Sequence, residues 1–279
     1  MKPAAFDYER PGSLEEATRL LAEPGVFSKA VAGSQSLGPM LNLRLAQPEL
    51  LVDLTAIPEL RAVSVQRDHV DIGACVTHAD IEDGRIPDVT RGLLGFVAHR
   101  IAYRAVRNRG TLGGSLAHAD PAADWISALP LLGAEVVVQS RRGTRTVAVE
   151  NLMVSSFITA LQAEEIVRTI RVPKLSPGAR WGFFKFNQKA GEFAHAICGV
   201  LHDPEAERFR AVIGAIETAP IIVADARSLF GGPFNSDIAN RLDQRRALAL
   251  LDAKGVKNEY NRKLVLVGLR RAARQASES

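Results

Sequence analysis

The sequence predicts an α+β protein of two domains, and three observations lead there. Residues 1–57 order their apolar segments as strand, helix, strand, loop, helix and strand, a small α/β unit. From Leu60 the texture changes to alternating strands interrupted by helical stretches. Beyond a proline-stiffened stretch at 174–178, three strand-like runs precede two helical ones. With 279 residues, 47% hydrophobic and 24% charged, the chain is long enough for two modest domains with a substantial core. The expected organisation is a first domain at 1–174, in subdomains 1–57 and 58–174, and a second domain at 175–279.

Ser13 followed by Glu16 gives a capping-box pattern before Ala17, Leu20 and Leu21, which predicts the first helix. Residues 27–32 are apolar and β-permissive, the chain breaks at Gly33, residues 39–45 suit a short helix, and 49–54 read as a buried strand. Residues 63–66 and 69–73 alternate around Arg67-Asp68 as a hairpin. Thr77 to Asp80 resembles a helix start, 92–105 a longer helix, 122–132 another, and 135–139 and 146–149 strands. Residues 165–172 alternate as a strand closed by Pro173. In the second domain, 181–187, 193–201 and 209–216 predict a three-stranded antiparallel sheet. Residues 236–251 and 259–273 predict the helices that back it, with the last residues frayed.

Composition excludes several function classes. No apolar run reaches the roughly 18–20 residues of a membrane span, and the N-terminal residues lack the apolar segment of a secretory signal, which predicts a cytoplasmic protein. Cys75 and Cys198 are far apart and outside any C-x-x-C pair, against a disulfide framework, a zinc site or an iron–sulfur cluster within this chain. The net charge of +4 is spread along the sequence and its arginines are not interleaved with aromatics, against nucleic acid as a partner. There is no G-x-x-x-x-G-K-[ST], no G-x-G-x-x-G after the first strand, no G-x-S-x-G, and no metal-binding spacing among the six histidines.

What stands out is a pair of small-residue loops. Val31-Ala32-Gly33-Ser34-Gln35-Ser36-Leu37 is answered by Arg109-Gly110-Thr111-Leu112-Gly113-Gly114-Ser115. Consecutive N–H groups in such loops can converge on an anion, glycine lets a backbone approach a phosphate, and hydroxyls add donors. Two tight turns rich in Gly and Ser would read the same way. Asp120 and Asp124 follow the second loop. Asp120 suits the cap of a helix starting near Pro121, and Asp124 either accepts hydrogen bonds from ligand hydroxyls or is a surface acid. Lys185, flanked by Phe183, Phe184 and Phe186, is either a cation against an aromatic wall or a lysine that snorkels from a sheet face.

These residues resemble the FAD-binding medium subunit of the molybdenum hydroxylases, the group of carbon monoxide dehydrogenase, bacterial xanthine dehydrogenases and nicotine-type dehydrogenases. The resemblance spans nearly the whole chain. It begins at Phe6-Asp7-Tyr8 and the segment from Pro11 to Ala17, and reaches Asn258-Glu259-Tyr260-Asn261-Arg262-Lys263-Leu264. Its most specific parts are the segments from Ala32 to Leu37 and from Thr111 to Asp124. It implies a two-subdomain FAD-binding fold followed by a domain with a three-stranded sheet and helices. It also implies that Ala30, Val31, Ala32, Gly33, Ser34, Gln35, Ser36 and Leu37 hold the FAD diphosphate through main-chain N–H groups. Thr111, Gly113, Gly114 and Ser115 would close on it from the second subdomain. Asp124 matches a position that hydrogen-bonds FAD, Lys185 a lysine near the flavin, and Ile101 and Val167 positions that line the cofactor. Ser34 stands where the family has the second of two adjacent glycines, and Lys189 and Glu192 where Arg and Asp are commoner.

The implied function is electron relay. A large subunit with a molybdopterin cofactor hydroxylates substrate, a small subunit carries two [2Fe–2S] clusters, and FAD on this chain passes electrons to an external acceptor, in a dimer of heterotrimers. The hard chemistry belongs to the cofactor, and the chain shows no acid–base pair of its own. A self-sufficient flavin oxidoreductase is the alternative, and a scaffold module without ligand, suggested only by Ser34, is a second.

Overall fold

A computed structural model describes residues 2–278. The first unit comprises β1 (Asp7–Glu9), α1 (Leu14–Leu21), β2 (Ser28–Val31), α2 (Leu37–Asn42) and β3 (Leu50–Asp53). Its three strands are parallel in the order β1-β3-β2. Ser13 Oγ accepts the Glu16 N–H at 3.2 Å and starts α1, whose Ala17 and Leu21 pack on the sheet. The central strand β3 is buried at all four positions, as expected of its unbroken apolar run. The carboxyl ends of β2 and β3 lie side by side, with Val31 paired to Asp53.

The second unit opens with β4 (Val63–Val65), β5 (His69–Gly73), α3 (His78–Glu82), α4 (Leu93–His99), α5 (Arg104–Arg107), α6 (Leu112–His118) and α7 (Trp125–Leu132). It continues with β6 (Glu135–Ser140), β7 (Gly143–Ala148), a small hairpin of β8 (Met153–Ser155) and β9 (Ile158–Thr159), and β10 (Ile166–Pro173). An antiparallel sheet runs β4-β5-β10-β6-β7. Thr77 and Asp80 form a reciprocal capping box at α3.

Three local expectations differ from what forms, one being that the helix expected over 236–251 starts only at Gln244, where Asp243 caps it, after a 3-10 turn at Ile238–Arg241. The helix expected over 92–105 breaks after His99, because Arg107 Nη1 takes the carbonyls of Ile101 and Ala102 and withdraws them from helical bonding. Ala102 adopts a left-handed φ of 42° at the break. The helix expected from 122 starts at Trp125 with Asp124 at the cap position. Asp120 instead closes the turn before it, accepting the Ala122 N–H at 2.9 Å.

The C-terminal unit contains β11 (Arg180–Phe186), β12 (Ala196–Asp203), β13 (Arg208–Gly214), β14 (Ile221–Val223), α8 (Arg227–Phe230), α9 (Gln244–Ala253) and α10 (Glu259–Glu278). Its antiparallel sheet has the three expected strands and a fourth, β14, whose three residues are too few to show a period in sequence. The last residues, expected to fray, continue α10 to Glu278, and Ser279 lies outside the described residues.

The largest apolar core joins these units, and a second lies under α10. All eight residues of α7 are buried, as a helix apolar all round requires, and α7 lies between the five-stranded sheet and the C-terminal sheet. Strand alternation gives β12 two apolar faces: Ile197 and Leu201 join the α7 core, while Ala196, Cys198 and Val200 pack under α10. On β11 the same alternation sends Phe184 and Phe186 to the α10 side and Phe183 to the α7 side. At the connection between domains, buried Asp203 accepts the Ser176 N–H at 3.2 Å and its hydroxyl at 2.5 Å. Leu129 is fully buried in α7. Leu129→Ala is therefore expected to cost about 2–5 kcal/mol in urea unfolding. Because the core is shared, the fluorescence of Trp125 and Trp181 is expected to report one transition at the same lowered midpoint.

Candidate functional site

The first small-residue loop lies where β2 gives way to α2, at the carboxyl edge of the parallel sheet, a position that open α/β sheets use for ligands. Ala30 and Val31 are on β2. Ala32 to Ser36 form the turn and Leu37 opens α2. Ser34 has a left-handed φ of 60°, which explains why a glycine suits this position and why serine strains it. The turn is closed by the Gly38 N–H donating to Ser34 O at 3.0 Å, and Gln35 Nε2 folds back on Gly33 O at 2.9 Å. Among the described residues, the main-chain N–H groups of Gly33, Ser34, Gln35 and Ser36 have no protein acceptor.

The second loop follows α5 and becomes the start of α6. Thr111 caps α6 by accepting the Gly114 N–H on its hydroxyl at 3.1 Å. The Gly113 N–H donates to Ala74 O at 2.9 Å, and a Cβ on Gly113 would lie 2.4 Å from Ala74 Cβ. Gly113 is thus needed for α6 to seat against the end of β5, and neither its N–H nor that of Gly114 is free for an anion. Gly114 is exposed, Ser115 is half-buried, and the Thr111 N–H has no protein acceptor among the described residues. Val167 is buried on β10 at the bulge whose Arg168 carbonyl holds the Ala74 N–H, behind the same seat.

The two loops meet backbone to backbone. A Cβ on Gly33 would lie 1.9 Å from Arg109 O and 2.8 Å from Gly110 Cα. The lack of a side chain at Gly33 serves this contact between subdomains, where the sequence suggested room for a phosphate. Arg109, adjacent and exposed, forms no ion pair among the described residues.

A second cluster joins the start of α7 to β11. Lys185, only 4% exposed at its side chain, donates to Asp124 Oδ2 at 2.7 Å and to Arg100 O at 3.0 Å. Its flanking aromatics Phe184 and Phe186 point to the other sheet face, so a carboxylate is its partner and the lysine is not a snorkelling one. Burial pushes the Asp124 carboxyl up from its ordinary value, opposed by the Lys185 charge. Asp124 Oδ1 is buried and has no protein partner among the described residues. Ile101, half-buried, sits next to Arg100 on the turn that meets Lys185.

His78 links the clusters and was not apparent from sequence beyond its place at a helix start. Its main-chain N–H donates to Gly110 O at 2.9 Å, and its ring Nδ1 accepts the Trp125 indole N–H at 3.1 Å, beside Asp124. Burial, helped by the Arg107 charge, lowers its pKa to about 4. Trp125 is 47 positions away, so no local pattern marks the pair.

Unengaged N–H groups at 33–36 and an orphaned, buried Asp124 oxygen are the donors and acceptor that a diphosphate and a hydroxyl- or N–H-bearing ligand would satisfy. The donor and acceptor chemistry of these residues fits FAD. Comparison with known proteins agrees. Residues 4–175 match the family model described as FAD binding domain in molybdopterin dehydrogenase. The nicotine 6-hydroxylase medium subunit of Paenarthrobacter nicotinovorans is 34% identical over 289 residues, covering 99% of each chain. Among solved structures, a carbon monoxide dehydrogenase from Hydrogenophaga pseudoflava that lacks the Mo-pyranopterin moiety of its molybdenum cofactor superimposes with a TM-score of 0.88 and 30% identity. That match covers 99% of this chain and 98% of the other. Quinoline 2-oxidoreductase from Pseudomonas putida 86 gives 0.85 and 29%, covering 100% and 99%.

Two outcomes follow from this geometry. Ser34→Gly removes the left-handed strain and is expected to raise stability by about 1 kcal/mol in urea unfolding. The unfolded chain protonates His78 near pH 6.5 and the folded chain only near 4. The stability from the neutral ring is therefore complete above pH 6.5 and is lost as pH falls towards 4, on the order of 3 kcal/mol. His78→Gln is expected to flatten that part of the profile when wild type and variant are unfolded in urea at pH 7, 5 and 4.

Proposed function

The chain belongs to the family of FAD-binding medium subunits of molybdenum hydroxylases, and on that basis we propose that it is the electron-relay subunit of such a complex. When bound, FAD supplies redox chemistry that can accept electrons from the [2Fe–2S] clusters of a small subunit and deliver them to an external acceptor. The chain's own task is to bind, orient and tune.

The observation that carries the proposal is the direct contact of Gly33 with Arg109 and Gly110, which places free N–H groups of one loop beside the second loop. Ala30 to Leu37, with Thr111 and the Ser115 hydroxyl, would hold the diphosphate. Gly113 and Gly114 contribute by seating and shaping α6. Asp124 Oδ1 would accept from the ligand, and Lys185 would place a positive charge near the flavin, favouring its reduced, anionic form. Ile101 and Val167 would line or back the pocket.

An autonomous flavin oxidoreductase would need a free base beside the ring. Asp124 is ion-paired with Lys185 through one oxygen, leaving only Oδ1 to accept from a ligand, and His78 Nδ1 is taken by Trp125, which favours relay. With only two cysteines, both buried and raised in pKa by burial, ligation of clusters falls to another chain. By its family membership the expected assembly is a dimer of heterotrimers, each with a large molybdopterin subunit and a small [2Fe–2S] subunit, and the expected location is the cytoplasm. No helix among the described residues is long and apolar enough to cross a membrane.

Titration of the purified chain with FAD, followed by flavin absorbance and fluorescence, is expected to saturate at one FAD per chain. Co-expression with the two partner subunits is expected to yield FAD reduction by the complex's substrate. A chain that takes up no flavin contradicts the reading, and a flavin-loaded chain that oxidises a small molecule alone supports the autonomous alternative.

A further inference from the structure

We propose that Arg107, anchored by Glu82, is a positioning residue that fixes the 100–103 turn for cofactor binding. The proposal rests on the FAD reading above, because that turn matters only if Ile101 and the Lys185 cluster face the cofactor.

The Arg107 guanidinium is almost buried, with 9% of its side chain exposed. Its Nε and Nη2 donate to the Glu82 carboxylate at 2.6 and 2.9 Å, a bidentate pair. Its remaining nitrogen, Nη1, donates to Ile101 O at 2.9 Å and Ala102 O at 3.1 Å. One planar group thereby joins the end of α3 to the two carbonyls of the turn. Lysine cannot reproduce this geometry, having a single point charge and no planar fork.

The turn needs such a clamp. Ala102 is left-handed, a conformation that is strained for a residue with a Cβ and persists only where surroundings over-determine it. The turn also meets the C-terminal domain on both sides: Arg100 O accepts from Lys185 Nζ, and the Tyr103 ring lies where a Cβ of Gly191 would be. A turn free to relax would move the carbonyl that orients Lys185.

Helix α3 sets this turn in register with the second glycine loop. His78 and Glu82 are four residues apart, on one helix face. The main-chain N–H of His78 holds Gly110 O, while Glu82 holds Arg107. A five-residue helix therefore spaces the diphosphate side of the site from its Lys185 side. His99 Nδ1 and Arg104 Nη1 also contact Glu82, at 2.9 and 2.8 Å, so the carboxylate keeps partners when Arg107 is replaced. What is lost on replacement is the hold on the two carbonyls.

The test uses the full chain stripped of flavin, with FAD titrated by fluorescence and tryptic cleavage after Arg100 and Arg104 followed in parallel. Arg107→Met is expected to weaken FAD binding about tenfold, the equivalent of one or two lost hydrogen bonds, and to speed cleavage in the turn. Adding Ala102→Gly, which lets the turn keep its left-handed form without the clamp, is expected to recover part of the affinity. Glu82→Gln, which keeps a hydrogen-bond partner for Arg107, is expected to show a smaller loss and serves if Arg107→Met does not fold. A merely structural role would lower Tm and leave the Kd of the folded protein unchanged. An unchanged Kd in folded Arg107→Met, or in Glu82→Gln if that is the only folded variant, overturns the proposal. A wild-type chain that binds no FAD overturns the functional reading as well, which separates the two failures.

Discussion

The site depends on the place where Gly33 touches Arg109 and Gly110 without any side chain between them. That contact brings the carboxyl edge of the parallel sheet against the loop that opens α6. Each loop alone is a common turn. Together they bring two segments far apart in sequence side by side, with N–H groups of the first left unengaged. The second loop reaches this position because Gly113 lets α6 lie on Ala74 and because His78 holds the Gly110 carbonyl. Sheet, bulge and helix each have a reason to be where they are, and the reasons converge on one pair of turns.

The same economy appears between domains. α7 is buried on every side, so the FAD-binding unit and the C-terminal sheet share its apolar surface. Asp124 at its start faces Lys185 on β11, and the two charges are withdrawn from water together. A buried pair is costly to desolvate and contributes little net stability, so its presence here points to function more than to folding. The orphaned Asp124 oxygen strengthens that view, since an unsatisfied buried acceptor is tolerated where a ligand completes it.

Much of this was legible in the chain. The cap at Ser13, the helix start at Thr77, the hairpin at 63–73, the alternation of β10 and the three strand-like runs that became β11, β12 and β13 all carry local signals that formed as read. What was not legible depends on distant partners. The helix at 92–105 looked continuous because nothing in those residues announces that Arg107 will take the Ile101 and Ala102 carbonyls. Lys185 looked like part of an aromatic run, and only pairing with β12 shows that its neighbours face away. Gly33 was readable as a special position, though its reason, the Arg109 carbonyl, lies far downstream in the sequence. His78 and Trp125 meet only in three dimensions.

The central claim is that both loops clasp the diphosphate of one dinucleotide. Amide hydrogen exchange of the full chain, compared with and without ligand, tests it directly. The account predicts that FAD slows exchange at 33–36 and around Thr111 together, that ADP reproduces this slowing, and that riboflavin, which has no diphosphate, does not. Protection confined to one loop, or produced equally by riboflavin, would contradict it.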